Sequence, residues 1–536
     1  MSLGDREILE LNELCGALTD GRATEAQRQR LQQLLQESEA ARRYYVRALG
    51  QSASLHAYAA EMHMDAPTRP TPRAHVVRFP RWAMFTVMAA AAAVLLSFLL
   101  VPRGEREARG SNSGRGDYVA RLTGAQGAQW GRSVSPLAPG AYLRKGQRIE
   151  LEAGYAEITF DSGARVVLEG ATALDIASAW DATLRRGTLK ADVPPQAVGF
   201  RIANRFVDVI DLGTEFTIIA DGERGAEVLV NKGEVEAVPR AGGDNETLLL
   251  REREARRFAA TGVSDVADSA RKFALFDAPL ALERLAIGTR FAHWSFDEPH
   301  GAARGEGSLL ASIETPLRLL GGASVSDTAS RSEGRRERAL RFDGQRYASA
   351  AVPGLSGTMP RTIAFWVRVP EDVQPLDTWM VAWGTQLPKL GRRPVHIGWN
   401  RRPSEGALGA LRTDFGGGRA IGTTNLRDGN WHHIVIFFAP GEDPDAPVQV
   451  KQYVDGFLES STIVRDTLTA RAGTGDAMIA DTVWLGYRLT GNRQEGRRFR
   501  GEIDELFIID RALQPHEIVG LMKDNRLPDP ALAANP

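Results

Sequence analysis

The stretch WAMFTVMAAAAAVLLSFLLV, residues 82–101, divides this chain of 536 residues into a short N-terminal part and a long C-terminal part. It contains no charged residue, and a helix of about 20 apolar residues crosses the roughly 30 Å hydrocarbon layer of a bilayer. Cleaved signal peptides occupy roughly the first 15–30 residues, so we expect this stretch to be an uncleaved transmembrane helix. The residues before this helix and the residues after it are then expected in different compartments.

The charges beside this stretch do not orient it. Four arginines precede it and four follow it: Arg69, Arg73, Arg78 and Arg81, then Arg103, Arg106, Arg109 and Arg115. The positive-inside rule therefore favours neither orientation of the helix. A short N-terminal part with an internal anchor most simply stays in the cytoplasm. We expect a single-pass protein of the bacterial inner (cytoplasmic) membrane, with its N-terminus in the cytoplasm and its C-terminal domains in the periplasm.

Residues 1–63 predict a small cytoplasmic helical domain. Apolar residues recur there at spacings of three and four, as on one face of a helix: Ile8, Leu11, Cys15 and Leu18. So small a bundle has a thin core, so it is either a solvated cap on the anchor or a docking surface for a cytoplasmic partner. Cys15 is the only cysteine, which excludes an internal disulfide and a multi-cysteine zinc site. The formal net charge of −1 gives no general attraction to nucleic acid.

Residues 119–262 predict an all-β domain. The segment AEITFDSGARVVLEG alternates around Ser162-Gly163, which is typical of a hairpin. Further alternating runs follow, and AEVLVNKGEVEAV is expected to turn at Lys232-Gly233. Short strands at regular spacing favour a β architecture over a helical one.

This region resembles the FecR family. The resemblance rests on Val209 to Phe216 (VIDLGTEF), on Leu184 to Gly187 (LRRG) and on Lys232 to Val235 (KGEV). It implies short cytoplasmic helices, one membrane span and an outer β domain that signals to an extracytoplasmic-function sigma factor. Many anti-sigma factors carry a zinc motif of one histidine and two cysteines, which this chain cannot form.

The motif of this family lies at Asp211, Leu212, Gly213, Thr214, Glu215 and Phe216. Gly213 permits a bend that a side chain would block. Asp211 and Glu215 are two carboxylates of the kind used in acid–base catalysis. No nucleophile, histidine or metal-ligand spacing accompanies them, so we interpret the motif as structural.

From Phe291 onwards a second β pattern begins, rich in tryptophan. Six motifs occur in order: HWSFDE at 293–298, ALRFDG at 339–344, TIAFWV at 362–367, NWHHIV at 430–435, YVDG at 453–456 and FRGEIDEL at 499–506. Together they resemble the LamG-like, concanavalin A-like jelly-roll family. The resemblance implies a two-sheet β-sandwich that binds glycans or proteins, often with a structural calcium ion.

Several aromatic and histidine residues of this domain are candidates for ligand contact. We expect Trp366 and Trp431 in the core, and exposed stacking residues in loops, such as Trp399 or Tyr487. His432 and His433 are adjacent, so on a strand they point to opposite faces and cannot share a metal ion.

Calcium is the one cofactor that the sequence suggests. Asp297 and Asp504 lie at the two ends of the domain, which a jelly roll brings close, and calcium prefers hard oxygen ligands. The alternative is that both are acidic residues at the edge of a sheet.

We do not expect an enzyme. Some concanavalin A-like hydrolases use three carboxylates on one strand, spaced E-x-D-x-E or E-x-D-x-x-E. Glu502 and Asp504 fit the first two positions, but the third falls on Leu506 or Phe507. The acid–nucleophile pair of a retaining glycosidase is therefore missing.

The sequence thus predicts a mainly β protein with eight segments: a helical domain (1–63), a linker (64–81), a transmembrane helix (82–101), a flexible linker (102–118), a FecR-like β domain (119–262), a helical linker (263–290), a LamG-like jelly roll (291–522) and a disordered tail (523–536). The favoured hypothesis is a membrane signalling regulator whose outer domain binds a ligand and whose helices engage a sigma factor. The alternative is an envelope-anchored module that binds carbohydrate or a surface protein without signalling. A hydrolase is a third, disfavoured hypothesis.

Overall fold

A computed structural model gives the fold. It describes Gln27, Arg30 and Leu34, which are helical, and then residues 118–131, 136–240, 247–276, 282–284, 289–310, 317–320, 331–352, 361–373, 378–383, 395–415, 418–439, 449–459, 462–465, 482–487 and 498–527. The predicted span, both of its linkers up to residue 117 and most of the N-terminal helical domain lie outside these ranges. Within them, no helix has the length and apolar character needed to cross a bilayer.

The first β domain is built on one sheet, sheet A, whose strands within the described ranges are as follows: β1 (Tyr118–Trp130), β2 (Tyr142–Arg144), β3 (Arg148–Phe160), β4 (Arg165–Ile176), β5 (Asp181–Asp192), β6 (Arg201–Ala203), β7 (Val207–Asp211), β8 (Glu215–Ala220), β9 (Ala226–Lys232), β10 (Glu234–Pro239), β11 (Leu248–Arg251), β12 (Ala255–Ala259), β13 (Gly262–Asp265) and β14 (Glu283–Arg284). The main path runs β11-β10-β7-β6-β5-β4-β3-β1-β14. A short 3-10 helix spans Pro195–Ala197, and helix α1 (Ser269–Phe276) follows the last hairpin.

Both turns expected in this domain are present, but only one joins paired strands. β3 and β4 pair antiparallel across Ser162-Gly163, where Gly163 has a φ of +108°. At Gly233 the chain also bends, with a φ of +83°. However, β9 pairs with β8 and β12, whereas β10 pairs with β7 and β11. The expected turn is therefore present, but alternation predicts only the two strands and cannot tell which neighbours they take.

The C-terminal domain is a sandwich of two sheets. Sheet B contains β15 (Phe291–Trp294), β17 (Arg331–Glu333), β18 (Arg338–Asp343), β20 (Arg361–Arg368), β25 (Trp431–Ala439), β26 (Gln449–Val454), β27 (Phe457–Leu458) and β30 (Arg500–Ile509). Sheet C contains β16 (Arg318–Leu320), β19 (Tyr347–Ala351), β21 (Trp379–Trp383), β22 (Val395–Trp399), β23 (Ala410–Phe415), β24 (Gly418–Asn425), β28 (Thr462–Arg465) and β29 (Thr482–Leu485). The mainly β class and the concanavalin A-like sandwich are therefore confirmed.

Two large apolar cores of the described residues hold these sheets. One lies between sheets B and C, and Ile363, Phe365 and Val367 of β20 contribute to it. The other fills the first β domain and continues onto the outer face of sheet B, where it includes Ala364 and Phe507. Helix α2 (Pro515–Asp524) adds Ile518 and Leu521 to this second core. The helix extends past residue 522, where the jelly roll was expected to end.

Candidate functional site

The outer face of sheet C carries a continuous row of side chains across six strands. The strand registers align Ser349, Trp484, Ala382, His396, Asp414 and Arg419. Their neighbours along the strands, such as Val483 and Ile397, belong to the core between the sheets. Because side chains alternate along a strand, the row faces away from that core. We call the surface formed by this row and its flanking residues the sheet C face.

Three aromatic rings cluster at one end of the sheet C face. The ring centroids of Tyr347 and Tyr487 are 4.9 Å apart, those of Trp484 and Tyr487 5.7 Å, and those of Tyr347 and Trp484 6.1 Å. All three side chains are half-buried. The guanidinium of Arg498 lies 5.4 Å from the Tyr347 ring centroid. Such rings combine an apolar face with a polar group at the edge. They can therefore stack on the apolar face of a sugar ring and hydrogen-bond to its hydroxyls.

A group of arginines and carboxylates occupies the other end of the sheet C face. Nη1 of Arg402 donates to Oε1 of Glu405 at 2.8 Å, and Nη1 of Arg419 is 2.6 Å from the same oxygen. Burial raises the pKa of Glu405, but hydrogen bonds from these arginines and from Arg412 prevail and hold it at about 2. Nε of Arg412 also donates to Oδ1 of Asp414 at 2.9 Å. Three guanidinium groups thus face two carboxylates, which leaves a small positive excess.

Trp379 and His396 connect the two ends. Their ring centroids lie 5.3 Å apart, and the guanidinium of Arg412 is 5.8 Å from the Trp379 ring centroid. Trp379 is 5 % exposed and His396 is 7 % exposed, so they form the floor of the surface and not its contact layer.

Sequence reasoning found one of the three clustered rings. Tyr487 was among the expected stacking residues, whereas Trp399 is 1 % exposed and packs between the sheets, so that expectation was wrong. Trp399 ends a strand whose alternation turns it inward. Tyr347 and Trp484 were missed. The signal for Trp484 was the segment TVWL, where two core residues, Val483 and Leu485, flank a tryptophan that must face outward.

Trp366 and the histidine pair lie on the opposite sheet. Trp366 is 6 % exposed on the outer side of sheet B, and Trp431 is half-buried at the start of β25. His432 and His433 do face opposite ways, because they pair with Val367 and Trp366, respectively. Burial lowers the pKa of His433 to about 4. For His432, burial lowers the pKa but the hydrogen bond to Asp455 outweighs it and raises it overall.

Asp297 and Asp504 both accept hydrogen bonds from the backbone of one short stretch, the turn after β17 and the first residue of β18. The amide of Arg338 donates to Oδ1 of Asp297 at 3.0 Å, and the amide of Arg336 donates to Oδ2 of Asp504 at 3.0 Å. Asp504 is fully buried and its Oδ1 has no hydrogen-bond partner among the described residues. Burial raises the pKa of Asp504 to about 8, and the charges of Glu505 and Asp297 add to this.

These observations bear on the predicted calcium ion. In the described part of the chain, no three histidine, cysteine, aspartate or glutamate side chains converge as a metal-binding set. The open oxygen of Asp504 fits one coordination position, and calcium completes its shell with backbone carbonyls and water. The residues present are thus compatible with calcium, and the site stays a prediction.

The motif at 211–216 has a structural geometry. Oδ2 of Asp211 accepts from the Gly213 amide at 2.6 Å, and its Oδ1 accepts from the Thr214 amide at 3.0 Å and from the Thr214 hydroxyl. Gly213 has a φ of +100°, which favours glycine. Leu212 lies in the turn, and Glu215 and Phe216 begin β8. Asp211 therefore closes the turn between β7 and β8, and Phe216 is buried in the core.

Comparisons with known proteins agree with this division. A family model described as FecR protein matches residues 148–236, and one described as the concanavalin A-like lectin/glucanases superfamily matches residues 342–519. No curated protein matches.

Several solved structures are similar in part. Domain 4 of AbnA, a GH43 extracellular arabinanase from Geobacillus stearothermophilus in complex with arabinotriose, is 19 % identical over 44 % of this chain and 99 % of its own, with a TM-score of 0.30. A candidate anti-sigma factor from Parabacteroides distasonis is 19 % identical over 24 % of this chain and 64 % of its own, with a TM-score of 0.21. Botulinum neurotoxin type C, whose cell entry depends on interaction with two ganglioside molecules, is 10 % identical over 44 % of this chain and 51 % of its own, with a TM-score of 0.30. At these TM-scores the likenesses add nothing to the argument for function.

The family matches fall on the two β regions separately. The first lies within sheet A, and the second lies within the sandwich of sheets B and C. The chain therefore carries a FecR-type β domain followed by a C-terminal LamG-like domain of the concanavalin A-like superfamily.

Proposed function

We propose that this protein is a membrane-anchored signalling regulator whose C-terminal sandwich binds a carbohydrate on the sheet C face. The observation that carries the proposal is the cluster of Tyr347, Trp484 and Tyr487 at one end of the sheet C face, with an arginine–carboxylate group at its other end. Stacking rings supply affinity for the apolar faces of sugars, and fixed charged groups supply directional hydrogen bonds to hydroxyls. In the described part of the chain, the outer face of sheet B packs against the FecR-type domain, whereas Tyr347, Trp484 and Tyr487 on sheet C keep part of their surface in solvent.

The regulatory part of the proposal rests on the FecR-type domain. In this scheme residues 82–101 anchor the protein in the inner membrane, and the helices of residues 1–63 engage an extracytoplasmic-function sigma factor. Ligand binding shifts the regulator only if it favours one state of the assembly over another. We propose no catalytic step. Phe507 and Leu506, at the third carboxylate position of a hydrolase strand, contribute to the two apolar cores instead.

Binding is tested on the full chain in detergent micelles against a panel of neutral and acidic polysaccharides. We expect Trp484→Ala to weaken binding by about tenfold or more, because a well-packed aromatic contact contributes on the order of 2 kcal/mol. Trp431→Ala is the matched control, because Trp431 is also half-buried but lies on sheet B. Equal losses in the two variants, or no binding to any polysaccharide by the unaltered chain, would contradict a sugar site on sheet C.

Signalling is tested by co-purification from cells. The intact chain should retain a sigma factor, and a chain without residues 1–63 should not. Glycan binding without sigma-factor recovery, together with unchanged transcription after gene deletion, would select the alternative of an envelope-anchored binding module.

A further inference from the structure

We infer that the FecR-type domain and the sandwich form one cooperative unit, so that both move together when the sheet C face is occupied. The statement about occupancy rests on the proposed function, whereas the single unit rests on geometry alone. Three contacts carry the inference: a buried turn, a shared apolar core and a bond network at the start of β1.

The first contact is the turn between β3 and β4. Hairpin turns normally lie in solvent, yet Ser162 is fully buried. The Tyr453 hydroxyl of the sandwich donates to the carbonyl oxygen of Asp161 at 2.9 Å, and the Lys451 amine pairs with the Asp161 carboxylate. A Cβ built on Gly163 would lie 3.5 Å from Cβ of Pro515, at the start of α2. The turn thus ends against β26 and α2.

The second contact is the apolar outer face of sheet B. Val435, Phe437 and Phe507 are each at most 4 % exposed, and they belong to the same contiguous core as Phe160 of the FecR-type domain. The 3-10 helix at Pro195–Ala197 also packs against β27. An apolar sheet face of this kind would lie in water if the two domains separated, which is unfavourable in proportion to its area.

The third contact lies at Tyr118, the first described residue after the predicted membrane span. The Tyr118 amide donates to Oε1 of Gln449 at 3.1 Å, and the Lys451 amine donates to the Tyr118 carbonyl. Tyr118 begins β1, directly after the segment that leads back to residues 82–101. The chain therefore enters the FecR-type domain at Tyr118, a residue that is also hydrogen-bonded to the sandwich.

A single cooperative unit should unfold in one transition. Native-state hydrogen exchange with mass spectrometry, on the full chain in detergent micelles across a denaturant series, follows β5 of the FecR-type domain and β20 of the sandwich separately. We expect the two strands to lose protection at one midpoint. Val166→Ala removes two buried methyl groups from the interior of the FecR-type domain. It should lower both midpoints equally.

A second variant addresses the junction itself. Lys451→Met keeps the side-chain length but leaves the Asp161 carboxylate without its cation, and it should also lower both midpoints together. Arg341→Met is the control, because Arg341 is an exposed residue of the sandwich outside the sheet C face, and it should move neither midpoint. Two separate midpoints, or a β20 midpoint that stays fixed in Val166→Ala, would overturn the single unit. Polysaccharide binding by the same preparations is measured separately. Loss of sugar binding would therefore not change the conclusion about the single cooperative unit.

Discussion

At the residue scale, Asp211 and Asp504 are both fully buried but have different roles. Asp211 has both oxygens bonded within one turn, whereas Asp504 keeps one oxygen without a partner among the described residues. A buried polar atom without a partner costs roughly 1–3 kcal/mol. Asp504 is therefore a residue at which added calcium or a bound proton is expected to change the stability of the sandwich.

Calcium should stabilise the sandwich through Asp504. In the absence of metal its pKa of about 8 leaves the carboxyl protonated at neutral pH, so Asp504→Asn should change the melting temperature little. Calcium at a hundredfold excess over its dissociation constant would stabilise the unaltered chain by about 2.7 kcal/mol. We expect a melting-temperature rise in the unaltered chain and in Asp372→Asn, an exposed control, but none in Asp504→Asn. No rise in any of them would mean that the calcium prediction is wrong.

Asp211 should make the FecR-type domain less stable as the pH rises. Burial raises its folded pKa from 3.8 to about 7, against hydrogen bonds from Thr214 and Gly213 that lower it. The native state then holds a proton that the unfolded chain releases, so this contribution is complete below about pH 4 and lost as the pH passes 7.

The measurement for Asp211 is the free energy of unfolding between pH 4 and 8, compared with Asp211→Asn. The full shift is on the order of 4 kcal/mol. Because asparagine does not titrate, the difference between the two chains should shrink as the pH rises. A constant difference across this range would show that Asp211 is ionised throughout.

At the element scale, helix α2 shows how a short terminal helix is held in place. Pro515 lies at its first turn, and Oε2 of Glu517 accepts from the Gln514 amide at 2.7 Å. The same carboxylate meets both terminal nitrogens of Arg511, at 2.7 and 2.6 Å. The ion pair fixes the helix against the outer face of sheet B, where its apolar side chains join the core shared by both domains.

Glu517→Gln should destabilise the outer half by about 3 kcal/mol, because it leaves the guanidinium of Arg511 nearly buried without a counter-charge. The denaturation midpoint measures this loss. Asp524→Asn, an exposed change at the end of the same helix, should leave the midpoint within error. If the two variants behave alike, the ion pair does not hold α2.

At the scale of the whole molecule, the two β domains share one apolar core, and this limits how the protein can be dissected. A fragment of residues 289–527 keeps the sandwich but exposes Val435, Phe437 and Phe507 to water. We expect it to bind a hydrophobic dye and to aggregate, unlike residues 117–527. A monomeric fragment with the dye response of the longer chain would indicate that the covered face of sheet B tolerates solvent.

The sequence by itself determined the β class of both domains, the turn at Ser162-Gly163 and the opposite orientation of His432 and His433, because alternation and turn chemistry depend on neighbouring residues. Motif order also predicted both β domains. Only the tertiary structure decided which strands pair, and so it alone brought Tyr347 within 6.1 Å of Trp484 and buried the β3–β4 turn against Lys451. Strand order and domain contact depend on pairings between distant residues, which local patterns do not encode.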